Sequence, residues 1–295
     1  MILGDARHSI RRELEAACID YGDAEADLLM CHALNMTRVQ IYSEPERSLT
    51  PTALSNLRQL VNRRIQHEPL AYILGSYEFH GIEFCIDHRT MIPRPETELL
   101  VQEAIDSAHH HLPSARQATV ADIGTGSGAI AISLALALPQ VTIYATDISI
   151  PALLVAHTNR QRHGVEEQVK LLQGHLLEPL PRQADMIVAN LPYIANREME
   201  TLSPEIADFE PIVALAGGDE GLDKIRLLLD QAADKLHSGG YLLLEIGQGQ
   251  DQVVSSMIRG RFPQASLAVI PDLHNINRVI RVHTQDTVDE TQTRG

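Results

Sequence analysis

The sequence predicts an α/β protein, a doubly wound, mostly parallel seven-stranded sheet behind a small all-helical N-terminal domain and a β-ribbon linker. Three observations lead there. Strand-like apolar runs alternate with helix-patterned runs from Thr119 onward, as in sheets with helices on both faces. A glycine-rich turn joins the first of those strands directly to a helix. Only helical periodicity occurs in the first 75 residues.

Within residues 1–75, Leu14, Ala17 and Cys18 recur at helical spacing, and Leu28, Leu29 and Leu34 follow Asp23, a candidate N-cap. Thr50-Pro51 is a stronger start, because Thr accepts from free amides and Pro fits the first helical position; Leu54, Leu57, Leu60, Val61 and Ile65 continue that helix. In residues 76–92, Tyr77 and Phe79, then His80-Gly81, then Ile82, Phe84 and Ile86 alternate about a turn as a two-stranded ribbon does, linking two domains. Residues 93–284 form the α/β domain. A helix passes through Leu99, Leu100, Val101, Ala104 and Ile105, and strands are expected at Thr119–Ile123, Val141–Thr146, Val169–Gln173, Met186–Ala189 and Tyr241–Ile246. Helices are expected at Ala129–Leu138, Ile150–Arg162 and Leu222–Leu236. Ser266–Ile270 and Arg278–Val282 are joined too closely for a helix and should pair antiparallel. Residues 285–295 carry one apolar side chain, Val288, and are expected to be disordered.

Composition excludes several classes. The chain has 295 residues, 24 basic and 39 acidic, for a net charge of −15, and 44% of it is apolar. That is ample for a buried core and unsuited to coating a polyanion, which needs clustered cations; only three lysines occur. Residues 1–75 hold eight basic and ten acidic side chains, a balance of −2, which leaves −13 for the remainder. Cys18, Cys31 and Cys85 lie far apart, so neither a disulfide framework nor a metal knuckle is expected. His109, His110 and His111 sit at a helix end, where imidazoles meet terminal carbonyls, and no metal site is assigned. With charges at Asp5 and Arg7 and no apolar run near 20 residues, neither export nor a membrane span is indicated, and a cytoplasmic location is expected.

The sharpest local feature is Asp122-Ile123-Gly124-Thr125-Gly126-Ser127-Gly128, opening into a helix. Glycines there let the backbone turn tightly and approach a ligand at an amide-rich helix start. Gly124, Gly126 and Ala129 also satisfy the pattern of nicotinamide and flavin sites. Asp147, 25 residues after Asp122 at the next strand's end, is placed for the ribose hydroxyls of an adenosine, which both cofactor classes carry. Asp122 distinguishes them. A carboxylate beside the loop would repel a pyrophosphate and attract an ammonium, which S-adenosylmethionine has.

Met186–Ala189 runs into Asn190-Leu191-Pro192-Tyr193, beyond the carboxyl end of the fourth sheet strand and so in the same crevice. A nitrogen about to be methylated carries N–H donors and must aim its lone pair at the methyl group. Asn190 can accept one N–H through its side-chain oxygen, and the Leu191 carbonyl, freed from ladder bonding by Pro192, can accept the other. Holding both bonds disfavours the flat conjugated amide and activates the nitrogen by positioning. Tyr193 is expected to wall the pocket and pack on the substrate's planar group.

The tetrapeptide resembles the (N/D)-P-P-Y signature of amino-methyltransferases, and nearly the whole chain resembles the release factor glutamine methyltransferase family. The motifs that carry this are Ile92-Pro93-Arg94-Pro95-Glu96-Thr97-Glu98, the Asp122–Gly128 loop, Asn190–Tyr193, Glu210-Pro211 with Ala214-Leu215 and Gly217-Gly218, and Leu244-Glu245-Ile246-Gly247. The resemblance implies a class I S-adenosylmethionine methyltransferase fold and methylation of the glutamine amide in the Gly-Gly-Gln loop of peptide chain release factors. It implies cofactor contacts at Asp122, Gly124, Thr125, Gly126, Ser127, Gly128, Asp147, His175, Leu176 and Asn190. Substrate contacts fall at Asn190, Leu191, Pro192 and Tyr193, with Asn190 and Tyr193 catalytic. The helical domain would grip a second surface of the factor. Leu191 stands for the family's first proline, His175 for an acidic residue near the adenine amino group, and Ala216 for a commonly acidic position. Two other readings are an adenine amino-methyltransferase acting on nucleic acid, which a domain at −13 does not suit, and a non-catalytic translation-factor binding module, which has no need of a complete cofactor site.

Overall fold

The computed structural model describes residues 1–112 and 118–285, so most of the segment expected to be disordered lies outside the described residues. The chain forms two compact units. One is Met1–Ser76 together with Ser203–Phe209; the other is Tyr77–Leu202 with the chain from Glu210 onward.

The first unit holds α1 (Leu3–Ala16), α2 (Gly22–Leu34), α3 (Arg38–Ser43), α4 (Pro51–Ile65) and α5 (Leu70–Leu74). Its core is built by helical periodicity: Leu3, Ala6, Ile10 and Leu14 from α1 meet Leu29 and Met30 from α2 and Leu57 and Val61 from α4. Thr50 caps α4 by accepting from the Ala53 amide, with Pro51 in the first turn. Asp23 is not a cap. Helix α2 starts at Gly22 behind Tyr21, whose left-handed backbone (φ 59°) reverses the chain, so Asp23 falls in the first turn. There it favours the helix dipole and pairs with Arg11 of α1 at 3.3 Å. Arg64, buried, binds both Glu25 and Glu205, which anchors the inserted Ser203–Phe209 segment within this unit.

The second unit begins with the hairpin β1 (Ser76–Phe79) and β2 (Ile82–Cys85), turned by His80 and Gly81 at φ 52° and 71°. Then come α6 (Thr97–His111), β3 (Thr119–Ile123), α7 (Ala129–Ala137), β4 (Thr142–Asp147), α8 (Ile150–Arg162), β5 (Val169–Gln173) and β6 (Ala184–Ala189). After a stretch of short helical turns that includes α9 (Pro204–Ala207), the chain continues as α10 (Asp223–Lys235), β7 (Leu236–Glu245), α11 (Asp251–Arg261), β8 (Ser266–Pro271) and β9 (Asn277–His283). Helix α11 was not anticipated from the sequence. His110 Nδ1 lies 2.6 Å from the Asp106 carbonyl in the last turns of α6, an end-of-helix contact of the kind expected for the histidine run.

The seven strands are ordered β5-β4-β3-β6-β7-β9-β8, parallel except for β9, which pairs antiparallel with β7 and β8. The strand order reverses between β3 and β6, the place where open α/β sheets bind ligands. Register then aligns the strand ends: Asp147 pairs with Gln173, Ile123 with both Thr146 and Ala189, and Ala189 with Leu244. Gly174, Asp147, Gly124, Asn190 and Glu245 therefore stand in a row along the carboxyl edge. Alternation sets the faces. Ala121, Ile123, Ile187, Ala189, Leu242 and Leu244 pack with Ile225 and Leu228 of α10 and Val254 and Ile258 of α11, so Asp122 and Glu245 turn to the opposite face, against α7 and α6.

Asn159 of α8, fully buried, locks the ribbon to the glycine loop. Its Oδ1 accepts from the Cys85 amide at 2.7 Å, and its Nδ2 donates to the Cys85 carbonyl at 3.0 Å and the Ser127 carbonyl at 2.9 Å. Asn159→Leu keeps the branched outline of the side chain and leaves one amide and two carbonyls unpaired, so urea unfolding should show a loss of roughly 2–4 kcal/mol. A loss under about 0.5 kcal/mol would mean that these groups find other partners.

Candidate active site

A cleft opens along the carboxyl edge, with ≈ 1080 Å³ of empty space, mouth included. Its wall includes Gly124, Thr125, Gly126 and Ser127 from the glycine loop, Asp147 from β4, His175 and Leu176 after β5, and Asn190, Leu191 and Pro192 after β6. These residues come from four loops and are adjacent only because the strands are in register.

The loop is shaped by Gly124, Gly126 and Gly128, all at positive φ. Asp147 holds it from the side: one oxygen accepts from the Gly126 amide and the other from the Ser149 amide, each at 2.8 Å. Burial raises the Asp147 pKa against the pull of these amides. At the far end, His175 Nδ1 lies 3.5 Å from Glu178 Oε1, and Leu176, at φ 51°, accepts from the Thr146 hydroxyl through its carbonyl.

Three expected contacts fall behind the cleft wall. Asp122 is fully buried and faces α7, where one oxygen accepts from the Thr125 hydroxyl at 2.6 Å and the Ala131 amide at 3.2 Å. It braces the loop from behind instead of lining the space for an ammonium. Its other oxygen has no protein partner among the described residues, and burial pushes the carboxyl up to about 7. Gly128 packs against Ile132 and Ala156 and contributes close approach, not a ligand contact. Tyr193, expected to wall the pocket, turns its hydroxyl towards Glu245 at 3.3 Å, and burial raises its pKa.

Asn190 does face the cleft, and its amide is fixed. Its Nδ2 donates to the Thr97 hydroxyl at 3.0 Å, and that hydroxyl donates to Glu245 Oε2 at 2.6 Å. Among the described residues nothing donates to Asn190 Oδ1 or to the Leu191 carbonyl, so two acceptors are left one residue apart. The Leu191 side chain packs in the core beside Gly124, which accounts for an apolar residue where the family has proline. The turn is clamped from outside. A Cβ on Gly217 would come within 2.7 Å of the Pro192 carbonyl, and Gln250 donates to the Tyr193 carbonyl at 3.1 Å. Arg94 reaches Glu210 at 2.6 Å, joining the segment ahead of α6 to the one that leads into Pro211. Ala216 pairs with Ile194 in a short bridge; nothing here accounts for the lost acid.

Sequence reasoning did not assign Arg89, Thr90, Met91, Thr97, Ile148 and Lys224 to the cleft wall. Thr97 stood in a quoted motif; the others carried no signal of their own.

A cleft at the strand-order reversal, a glycine loop, a cleft-lining carboxylate at the end of β4 and paired acceptors beyond β6 define a methyltransferase. The fold matches that of a methyltransferase from Pyrococcus furiosus with a TM-score of 0.51 at 17% identity, covering 78% of this chain and 98% of that one. Residues 100–206 match the family described as methyltransferase small domain, and residues 5–75 the PrmC N-terminal domain. More particularly, the chain belongs to the release factor glutamine methyltransferase family. It is 40% identical to the member from Geobacter sulfurreducens over 87% of both chains, and 37% identical to the member from Moorella thermoacetica over 97% of this chain and all of that one.

Because the native state holds Asp122 protonated up to about pH 7 while the unfolded chain releases that proton near the ordinary carboxylate value of 3.8, rising pH between these values costs native stability. Asp122→Asn should therefore gain on the parent steadily from about pH 4 to about pH 7 and level off above that, by an order of a few kcal/mol in total. A melting difference that is flat with pH would show that the carboxyl titrates as an exposed one.

Proposed function

We propose that the protein uses S-adenosylmethionine to methylate the side-chain amide nitrogen of a protein glutamine, the one in the Gly-Gly-Gln loop of peptide chain release factors. The observation that carries this is the pair of unengaged acceptors, Asn190 Oδ1 and the Leu191 carbonyl, beside the glycine loop. When bound, S-adenosylmethionine supplies an electrophilic methyl group. The residues at hand suit it: Asp147 for the ribose hydroxyls, Leu176 and His175 for the adenine end, and the glycine loop, braced from behind by Asp122, for the amino-acid end.

The protein's share is orientation. Asn190 Oδ1 takes one N–H of the glutamine amide and the Leu191 carbonyl the other, so the nitrogen lone pair is turned out of conjugation and into the cleft. No strong base is required before transfer, and among the described residues the histidine on the cleft wall is His175, after β5 at the adenine end. Tyr193 supports this turn from behind. The exposed Ile212 and Val213, beside cleft-lining Pro211, suit an apolar neighbour of the loop. The helical unit grips a second surface of the factor, and the cytoplasm, where translation ends, is the location that this substrate implies.

Incubation with methyl-labelled cofactor and a release factor should label the loop glutamine, and a factor carrying Gln→Ala there should stay unlabelled. Label on both, or on neither, would sink the reading. Asn190→Ala should lower kcat by roughly 10²–10³-fold, about 3–4 kcal/mol, with the cofactor Kd little changed; equal loss in both would confine Asn190 to cofactor binding. If the helical unit grips the factor, KM for the intact factor should lie well below KM for a short loop peptide, and equal values would remove that role.

A further inference from the structure

The polarity of the Asn190 amide has a visible source. Glu245 ends β7 and Asn190 follows β6; the Ala189–Leu244 pairing sets them side by side, and Thr97, the first residue of α6, bridges them. Thr97 and Glu245 are both buried, and the Thr97 hydroxyl has a single proton. That proton lies on the 2.6 Å bond to Glu245, so towards Asn190 the hydroxyl can only accept.

We propose that Glu245 and Thr97 are positioning residues: the ionised Glu245 draws the Thr97 hydroxyl proton, and Thr97 thereby holds Asn190 with its nitrogen inward and its oxygen towards the substrate amide. This rests on the amide-methylation reading and deepens it. With a proton on Glu245 the relay reverses. The acid donates to Thr97, the Thr97 proton turns to Asn190, and the side-chain amide rotates to satisfy it. The cleft then meets substrate N–H groups with a donor.

The surroundings make that reversal accessible near neutral pH. From β9, Arg278 faces the carboxylate, but it is itself paired with Asp272 at 3.1 Å. From the segment ahead of α6, Glu96 opposes ionisation, while Arg94 is held by Glu210. From the turn after β6, Tyr193 donates a hydrogen bond, as Thr97 does from α6, and Gln250 at the start of α11 brings no charge. Burial prevails and lifts Glu245 to about 7.

The test follows kcat, KM and cofactor Kd from pH 5.5 to 8.5 for the full-length protein and for Thr97→Val, Thr97→Ser and Glu245→Gln. Wild-type kcat should fall on the acid side through about pH 7. Thr97→Val should lose on the order of 10²-fold in kcat with cofactor Kd within about twofold, Thr97→Ser should recover most of that loss, and Glu245→Gln should abolish the acid limb. A Thr97→Val enzyme within about threefold of wild-type kcat, a parallel loss of cofactor affinity, or an acid limb that survives in Glu245→Gln would each overturn the proposal. A second readout needs no substrate, so it stands even if the release-factor assay fails. The Asn190 side-chain ¹⁵N resonance should titrate together with the Glu245 carboxyl ¹³C resonance in the wild type and stop titrating in Thr97→Val. Independent titration of the two would contradict the relay.

Discussion

The parallel register of β6 between β3 and β7 is the constraint on which the rest depends. Ile123, Ala189 and Leu244 are paired across three strands, and the residues just beyond them are Gly124, Asn190 and Glu245. A slip of one residue would turn Asn190 to the other face and part it from Thr97. The fully buried ladder, apolar on both sides from Val120 to Leu244 apart from Asp122 and Asp185, resists such a slip, because each strand has helices above and below it. The site's accuracy comes from the sheet, and the loops carry only the last side chains.

Two carboxylates on the α6–α7 side of that sheet show what this positioning costs. Asp122, with a hydroxyl and an amide donor, and Glu245, with two hydroxyl donors, are each taken out of water with no direct cation among the described residues, and each is lifted to about 7. A core built for stability alone would carry apolar groups there. Asp122 instead accepts from Thr125 of the glycine loop and from the Ala131 amide of α7, and Glu245 reaches Asn190 through the Thr97 hydroxyl.

Much of this was legible in the sequence because it is local. The glycine loop, the Thr50-Pro51 start and the closing antiparallel pair each depend on a few adjacent residues. Helix α11 also has a local signal, Val253, Val254, Met257 and Ile258 at helical spacing. Asp122 and Tyr193 were harder. A strand buried on both faces shows no polar alternation, so the side to which Asp122 points is visible only once its neighbours are placed. The partnership of Thr97 with Glu245 spans 148 residues and depends on β7 lying beside β6. The charge balance also gained meaning, since part of the acidity excluded from nucleic-acid binding is neither on the surface nor fully ionised at neutral pH.

In the proposed activation, Asn190 Oδ1 and the Leu191 carbonyl accept the two N–H bonds of the substrate amide nitrogen. A crystal structure of the protein with S-adenosylhomocysteine and a Gly-Gly-Gln peptide tests it most directly. The account predicts the glutamine nitrogen within hydrogen-bond distance of both acceptors, with Asn190 Nδ2 still on Thr97. A glutamine bound through its carbonyl oxygen to Asn190, with its nitrogen directed away from the Leu191 carbonyl, would contradict it.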